Sequence, residues 1–158
     1  RDMKTIEYYL ERGIERVILG SVAVKNPELV KEAVKEFKER IAVGIDAKNG
    51  MVATEGWLEK SDVRYLDLGL AMEDAGVKTI IFTDISRDGT LTGVNTEQLG
   101  RLNETVSCNI IASGGVSSIK DIEDCLELNL YGCICGKALY TGALNLEEAV
   151  RKAGVQTC

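Results

Sequence analysis

Apolar residues recur along this chain in two alternating periods. Met3, Ile6 and Leu10 fall at steps of three and four, which predicts a helix over 2–12, ended by Gly13. RVILGS at 16–21 is a short continuous apolar run, the pattern of a strand covered on both faces. Asn26 and Pro27 have the character of a helix cap and a first-turn residue, and open a helix that runs to about Phe37. IAVGID at 41–46 is the next strand, followed by a polar connection to about Ser61 and a helix over 62–75 stopped by Gly76. KTIIFTD at 78–84, CNIIAS at 108–113 and GCICG at 132–136 read as further strands, with helices over 95–105, 118–129 and 145–153.

Five apolar strands separated by amphipathic helices call for parallel pairing, because each right-handed crossover returns the chain to the same end of the sheet. An open doubly wound sheet and part of a (β/α)8 barrel both satisfy this rhythm. Asp46, Thr83, Asp84, Ser113 and Gly136 stand at the C-terminal ends of four different strands. Barrel enzymes assemble their sites from that rim, whereas an open sheet concentrates them at one crevice. The expectation is an α/β chain forming a partial (β/α)8 barrel of about five β/α units, with residues 1–158 as one incomplete barrel domain. Five strands cannot close an eight-stranded cylinder, so open edges and self-association are expected.

The pattern also repeats. Sliding the chain by 116 residues lays 1–21 over 117–137, with identities at Lys4/Lys120, Ile6/Ile122, Glu7/Glu123, Leu10/Leu126, Glu11/Glu127, Ile18/Ile134 and Gly20/Gly136. Amphipathic helices share apolar positions by default, but these matches run through a whole helix–strand unit, as a duplication would. Ahead of the second copy lies IIASGGVSS, 110–118. A strand ending in Ser113, Gly114 and Gly115 leaves backbone NH groups without side-chain cover, and a helix N-terminus behind it adds more. That is the chemistry of a phosphate cradle, with Gly136 and Lys137 after the next strand as its second lobe. By the repeat, Arg1, Gly20 and Ser21 would form another across the barrel mouth, so a molecule with phosphates at both ends would span the two.

Composition narrows the chemistry between those ends. A formal charge of -6 argues against general nucleic-acid or anionic-membrane binding. No run of 18 apolar residues and no signal-peptide pattern is present, which points to a cytoplasmic protein. Five cysteines lack zinc spacing and read as reduced, mostly buried thiols, so no metal site is expected. With no histidine, acid–base work falls to carboxylates, Lys or Cys. Asp46, closing an otherwise apolar strand, either caps the next turn or serves as acid or base. TDISRDGTLTG at 83–93 supplies Thr83, Arg87 and Asp88 in what is otherwise an Asp-Gly turn, and Trp57 in ATEGW suits a lid stacked over a flat ring.

VGIDAKNGMVATEGW, TDISRDGTLTG, IIASGGVSS and GKALYTG, in this order and spacing, resemble the ProFAR isomerases of histidine biosynthesis. The resemblance covers essentially the whole chain and places its strands as four to eight of the barrel. It implies a cofactor-free Amadori rearrangement of a bis-phosphorylated aminoaldose to an aminoketose. By resemblance, Asp46 is a catalytic acid or base, and Thr83 and Asp88 are catalytic partners. Trp57 contacts substrate, and Ser113, Gly114, Gly115, Gly136 and Lys137 hold one phosphate, with Arg1, Gly20 and Ser21 at the other end; Arg87, supplied by the 83–93 loop, is a further candidate contact. The family's second catalytic aspartate, at the end of strand one, has no counterpart here, so the piece by itself is expected to be inactive. The cyclase subunit of imidazole glycerol phosphate synthase shares the repeat and the strand-five aspartate, but not the expected tryptophan loop. An isomerase that also accepts phosphoribosyl anthranilate and a non-catalytic phosphate-binding piece stand as the other readings.

Overall fold

The computed structural model describes residues 2–154, so the expectation for Arg1 lies outside the described residues. Helix α1 (Met3–Glu11) leads into strand β1 (Val17–Leu19), a one-turn helix α2 (Val22–Lys25) and α3 (Pro27–Phe37). After a 3-10 turn come β2 (Ile41–Lys48), β3 (Met51–Thr54), β4 (Glu59–Arg64) and α4 (Tyr65–Asp74). Then follow β5 (Thr79–Asp84), α5 (Thr96–Thr105), β6 (Asn109–Ser113), α6 (Ile119–Glu127), β7 (Gly132–Cys133), α7 (Lys137–Tyr140) and α8 (Leu146–Lys152). Strands β1, β2, β5, β6 and β7 pair in parallel in that order, which makes the chain a partial barrel with helices between its strands.

The local signals explain most boundaries. Asn26 caps α3 by accepting from the Leu29 NH, and Pro27 sits in the first turn, where its missing NH costs nothing. The 116-residue shift carries α1 onto α6 end for end, and the α1 cap Asp2 onto the α6 cap Ser118. One face of the sheet carries Val43, Ile45, Ile80, Phe82, Ile110 and Ala112 against Leu10, Val30, Leu68 and Leu102 of the helices. Each large apolar side chain fully buried there contributes about 1.5–3 kcal/mol, so this face is what holds the layers together.

Three expectations need correction. The polar connection before residue 61 is an antiparallel ribbon: β2 runs on to Lys48, and β3 and β4 fold back along it. Asn49 and Gly50, with φ of 52° and 80°, make the tight turn with two left-handed residues that Asn-Gly favours, and Ser61 ties β4 to the Val52 carbonyl. Helix α4 therefore begins at Tyr65 rather than at 62. Strand β7 is two residues long instead of five, although the Ile134 NH still donates to the Ala112 carbonyl at 2.8 Å. Residues 22–25 add a short helix between β1 and α3.

Candidate active site at the rim of the parallel strands

Strand register builds the centre of the site. Asp46 of β2 pairs with Thr83 of β5, and Thr83 pairs with Ser113 of β6. Registered neighbours in a parallel sheet present their side chains to the same face, here the face away from the helices. A carboxylate and two hydroxyls thus stand in one row at the C-terminal rim. The strand order puts Gly20 and Ser21, at the end of β1, on one side of this row. The corner after β6 and the turn after β7 lie on the other.

On the latter side the loop after β5 and the Gly-Gly corner form one stitched unit. Asp84, 5% exposed, accepts from Ser86 and from the Asn95 amide at 2.7 Å, and its carboxylate lies 3.6 Å from Arg87. Burial alone would raise its pKa, but those hydrogen bonds and the guanidinium outweigh burial and hold it below the ordinary value. Asp121, also 5% exposed, accepts from the NH groups of Val94, Ser117 and Ser118 at 3.1, 2.8 and 3.0 Å. It too is held low, burial being overcome by the bonds from Ser117, Val94 and Ser118. The Gly93 NH donates to the Gly115 carbonyl at 2.9 Å. Gly114 and Gly115 have φ of 88° and 90°, and a Cβ on Gly115 would lie 2.2 Å from the Gly93 carbonyl oxygen. Only glycine lets the loop and the corner approach this closely.

This unit closes a cavity of about 60 Å³ that brings together Asp88, Ser113, Gly114, Gly115, Gly136 and Lys137. Three details differ from the sequence reading. The NH groups of Ser117 and Ser118 at the start of α6 are not open to a ligand, because Asp121 of the same helix takes them. The Lys137 ammonium donates to the Gly89 carbonyl at 2.7 Å. Arg87 donates to the carbonyls of Gly93 and Val94 at 3.0 and 3.3 Å, so its guanidinium braces the loop.

The side at β1 is built differently. Gly20 and Ser21 line an open cavity of about 400 Å³ with Tyr9, Lys25 and Glu55. The tip of the β3–β4 ribbon reaches across to it: the Glu55 NH donates to the Ser21 hydroxyl at 2.9 Å, and Lys25 reaches Glu55 at 2.9 Å and Glu59 at 3.1 Å. These carboxylates and their hydrogen bonds raise the Lys25 pKa. At the same tip the indole NH of Trp57 donates to the Asp46 carboxylate at 2.8 Å, the residue as a whole being 45% exposed. Glu55, Gly56 and Trp57 all have left-handed backbone, with φ of 52°, 65° and 73°. For the two non-glycine residues this costs about 1–2 kcal/mol each, so the contacts of the tip hold it against its own preference.

Sequence reasoning overlooked Asp121, Lys25 and Glu55. Ser118 with Asp121 three residues on is a capping-box spacing, readable in advance; the Lys25–Glu55 contact joins residues 30 apart and leaves no local signal. Among the described residues, no group of three or more His, Cys, Asp and Glu side chains is arranged to hold a metal ion, and no helix is long and apolar enough to cross a membrane.

The sequence profile of the family described as "Histidine biosynthesis protein" matches residues 1–145. Among curated relatives, a Clostridium novyi protein is 52% identical over 151 residues, 96% of this chain and 63% of the relative. A Clostridium botulinum protein is 53% identical over 151 residues, 96% and 62% of the two lengths. One from Listeria monocytogenes is 56% identical over 150 residues, 95% and 62%. Each is named as an imidazole-4-carboxamide isomerase whose substrate name carries two phosphoribosyl groups. The chain thus spans a little over three fifths of the length of these relatives. Matched by that profile over most of its length, and by relatives at more than half identity, the chain belongs to the histidine biosynthesis protein family.

Proposed function

We propose that this chain carries the strand-four-to-eight part of an isomerase barrel that converts a bis-phosphorylated aminoaldose, an aminoimidazole carboxamide ribotide, to its aminoketose. The observation that carries this reading is the register row Asp46–Thr83–Ser113, flanked on either side by a glycine-bearing corner. The names of the relatives favour this reaction over the cyclase reading, since they are called isomerases.

In this reading the substrate lies across the row with one phosphate at each corner, which converts binding energy into orientation of the sugar between them. Ring opening requires a proton on the ring oxygen, and formation of the enol requires loss of the C2 proton. Asp46 supplies one of these transfers. The other falls to a carboxylate outside this chain, contributed by the remaining barrel strands. Thr83 and Asp88 orient sugar hydroxyls. Trp57 leaves the Asp46 carboxylate and covers the flat aminoimidazole, so that the group that works on the sugar is freed as the ring is shielded.

Two measurements test this. Calorimetric titration of the chain with the bis-phosphorylated ribotide should give binding well above that of inorganic phosphate, and Gly136→Asp should abolish the difference. In a barrel completed with the upstream strands of a relative, Asp46→Asn should lose turnover by a factor of about 10³ while still binding product. Turnover within tenfold of the parent would remove Asp46 from the chemistry.

The open edges support a second inference at the level of assembly. Among the described residues, strand β1 pairs only with β2, β7 only with β6, and Ile18 on β1 is 55% exposed. Unpaired strand edges with apolar side chains associate. Sedimentation should show a dimer or larger species; a sharp monomer across concentration would overturn this.

A further inference from the structure

The remaining chemistry of interest lies on the opposite, helix-facing side of the sheet. Cys133 of β7 pairs in register with Ala112, a residue of the helix-packed face. Cys135, two residues on, points the same way, and the two sulfurs lie 3.9 Å apart. Cys125 of α6, buried, lines the same cavity as that pair, with its thiol beside Cys133. All three line one cavity of about 460 Å³, open to solvent past Leu126, Tyr131 and Leu146. Three of the four described cysteines therefore share one spot. The fourth, Cys108, is buried elsewhere, its thiol donating to the Val77 carbonyl at 3.2 Å.

The three thiols do not act alike. The hydrogen bond with Cys133 favours the thiolate of Cys125 and holds its pKa below the ordinary value. The same bond, seen from the donor, pushes Cys133 up to about 11, and the contact with Cys133 together with burial raises Cys135. One sulfur is thus prepared to attack, and its neighbour is within reach to resolve. The sulfurs are not arranged as a metal cage. Of the three possible bonds, geometry favours one from helix to strand, with Cys133, the neighbour of Cys125, as the partner. The Ile134 NH still bonds to Ala112, so the chain stays extended beyond Cys133, and residues two apart on extended backbone have Cα atoms about 6.6 Å apart, at the far end of what a disulfide tolerates.

We propose that Cys125 and Cys133 form an oxidisable thiol pair, joined as a disulfide when the protein meets a peroxide. The Cys125 thiolate attacks one peroxide oxygen. The O–O bond breaks, leaving a sulfenic acid on Cys125 and releasing the other oxygen as water after protonation. The sulfur of Cys133 then displaces the sulfenic hydroxyl, which leaves as a second water as Cys133 loses its proton. Two thiols give up two electrons and two protons in all, and the peroxide is reduced to two waters. The bond would tie β7 to α6, three residues ahead of Gly136 in the small rim cavity, so oxidation is transmitted to the corner that the proposed function assigns to a phosphate. The thiol chemistry itself does not depend on that assignment.

The test is peptide mapping of the folded chain with Cys158→Ser, which takes the thiol of residue 158 out of exchange. After treatment with a few equivalents of hydrogen peroxide, free thiols are alkylated under denaturing conditions. The expected product is a cross-linked pair of peptides holding Cys125 and Cys133, with Cys108 recovered alkylated, loss of the product in Cys133→Ser, and its retention in Cys135→Ser. The oxidised chain should melt several degrees higher than the reduced one and return to the lower value after dithiothreitol. Recovery of Cys125 and Cys133 as separate alkylated thiols, a bond between Cys133 and Cys135 instead, or oxidation of Cys108 at the same dose would each overturn the proposal. The mapping of the parent chain decides the matter even if a serine variant fails to fold.

Discussion

The two corners that flank Asp46 are held by opposite means. After β6, Gly114 and Gly115 press backbone against backbone, and two buried carboxylates, Asp84 and Asp121, lock the neighbouring loop in place. After β1, Gly20 has nothing within 4 Å of where a Cβ would stand, and the contacts are those of long exposed side chains, Lys25 with Glu55 and Glu59. The first arrangement is rigid before any ligand arrives. The second can be rebuilt by moving a hairpin tip that is already in an unfavourable backbone conformation. A site with one fixed anchor and one adjustable anchor can set the register of a ligand at the first and close over it at the second.

The largest effect that would break this contrast is a methyl group at each glycine. Gly115→Ala meets the Gly93 carbonyl oxygen at 2.2 Å and must also adopt left-handed backbone, two penalties that together amount to about 3 kcal/mol or more. Gly20→Ala meets neither and should stay within about 0.5 kcal/mol of the parent. Urea denaturation of both variants measures this directly. Similar midpoints for the two would mean that the corner after β6 yields as readily as the one after β1.

A smaller effect separates the two regions by pH. Asp121 and Asp84 have folded pKa values below their unfolded ones. Each therefore contributes stability that is fully present above the unfolded carboxylate pKa, near 3.8, and is lost as pH falls through the lower folded value. The denaturation midpoint should be flat near neutrality and fall steeply below about pH 4. Asp121→Asn should lower the stability at pH 7 by about 2 kcal/mol, since at least one buried NH loses its charged acceptor, and should flatten the acid limb. An acid limb as steep as that of the parent would show that the stitching of the loop to α6 rests on other groups.

How far the sequence foretold this arrangement follows from the range of the forces involved. Strand and helix positions were legible because apolar period is local, and so was the gathering of Asp46, Thr83 and Ser113 at one rim, since each lies at or near the C-terminal end of its strand. The ribbon over 51–64 was missed, although Asn49-Gly50 announces such a turn, because β3 is only four residues long and β4, Glu59–Arg64, is mostly charged and polar. Arg87 and Lys137 read as anion ligands from residue type alone. Whether a cation faces a phosphate or a carbonyl depends on where the loop after β5 packs, which is fixed by Asp84, Asp121 and two glycines distant in sequence. The three-cysteine cluster was half visible, as Cys133 and Cys135 alternate along a strand; the approach of Cys125 depends on how α6 lies against it.

The smallest expected effect is also the one that sharpens the contrast most. Lys25→Met removes both ion pairs at the adjustable corner, yet these are exposed and screened by solvent, so the melting temperature should not move measurably. What should change is the local opening of the ribbon. Amide exchange across Glu55–Leu58 should quicken in Lys25→Met, and raising the ionic strength should produce the same change in the parent, because salt weakens exposed ion pairs and leaves the backbone packing of Gly115 untouched. Exchange at Gly93, whose NH is held by the Gly115 carbonyl, should not respond to either treatment. If the ribbon exchanges at the parent rate in Lys25→Met, then the hydrogen bonds of the tip, Trp57 to Asp46 and the Glu55 NH to Ser21, keep it in place. In that case closure is governed by those hydrogen bonds rather than by the ion pairs beside β1.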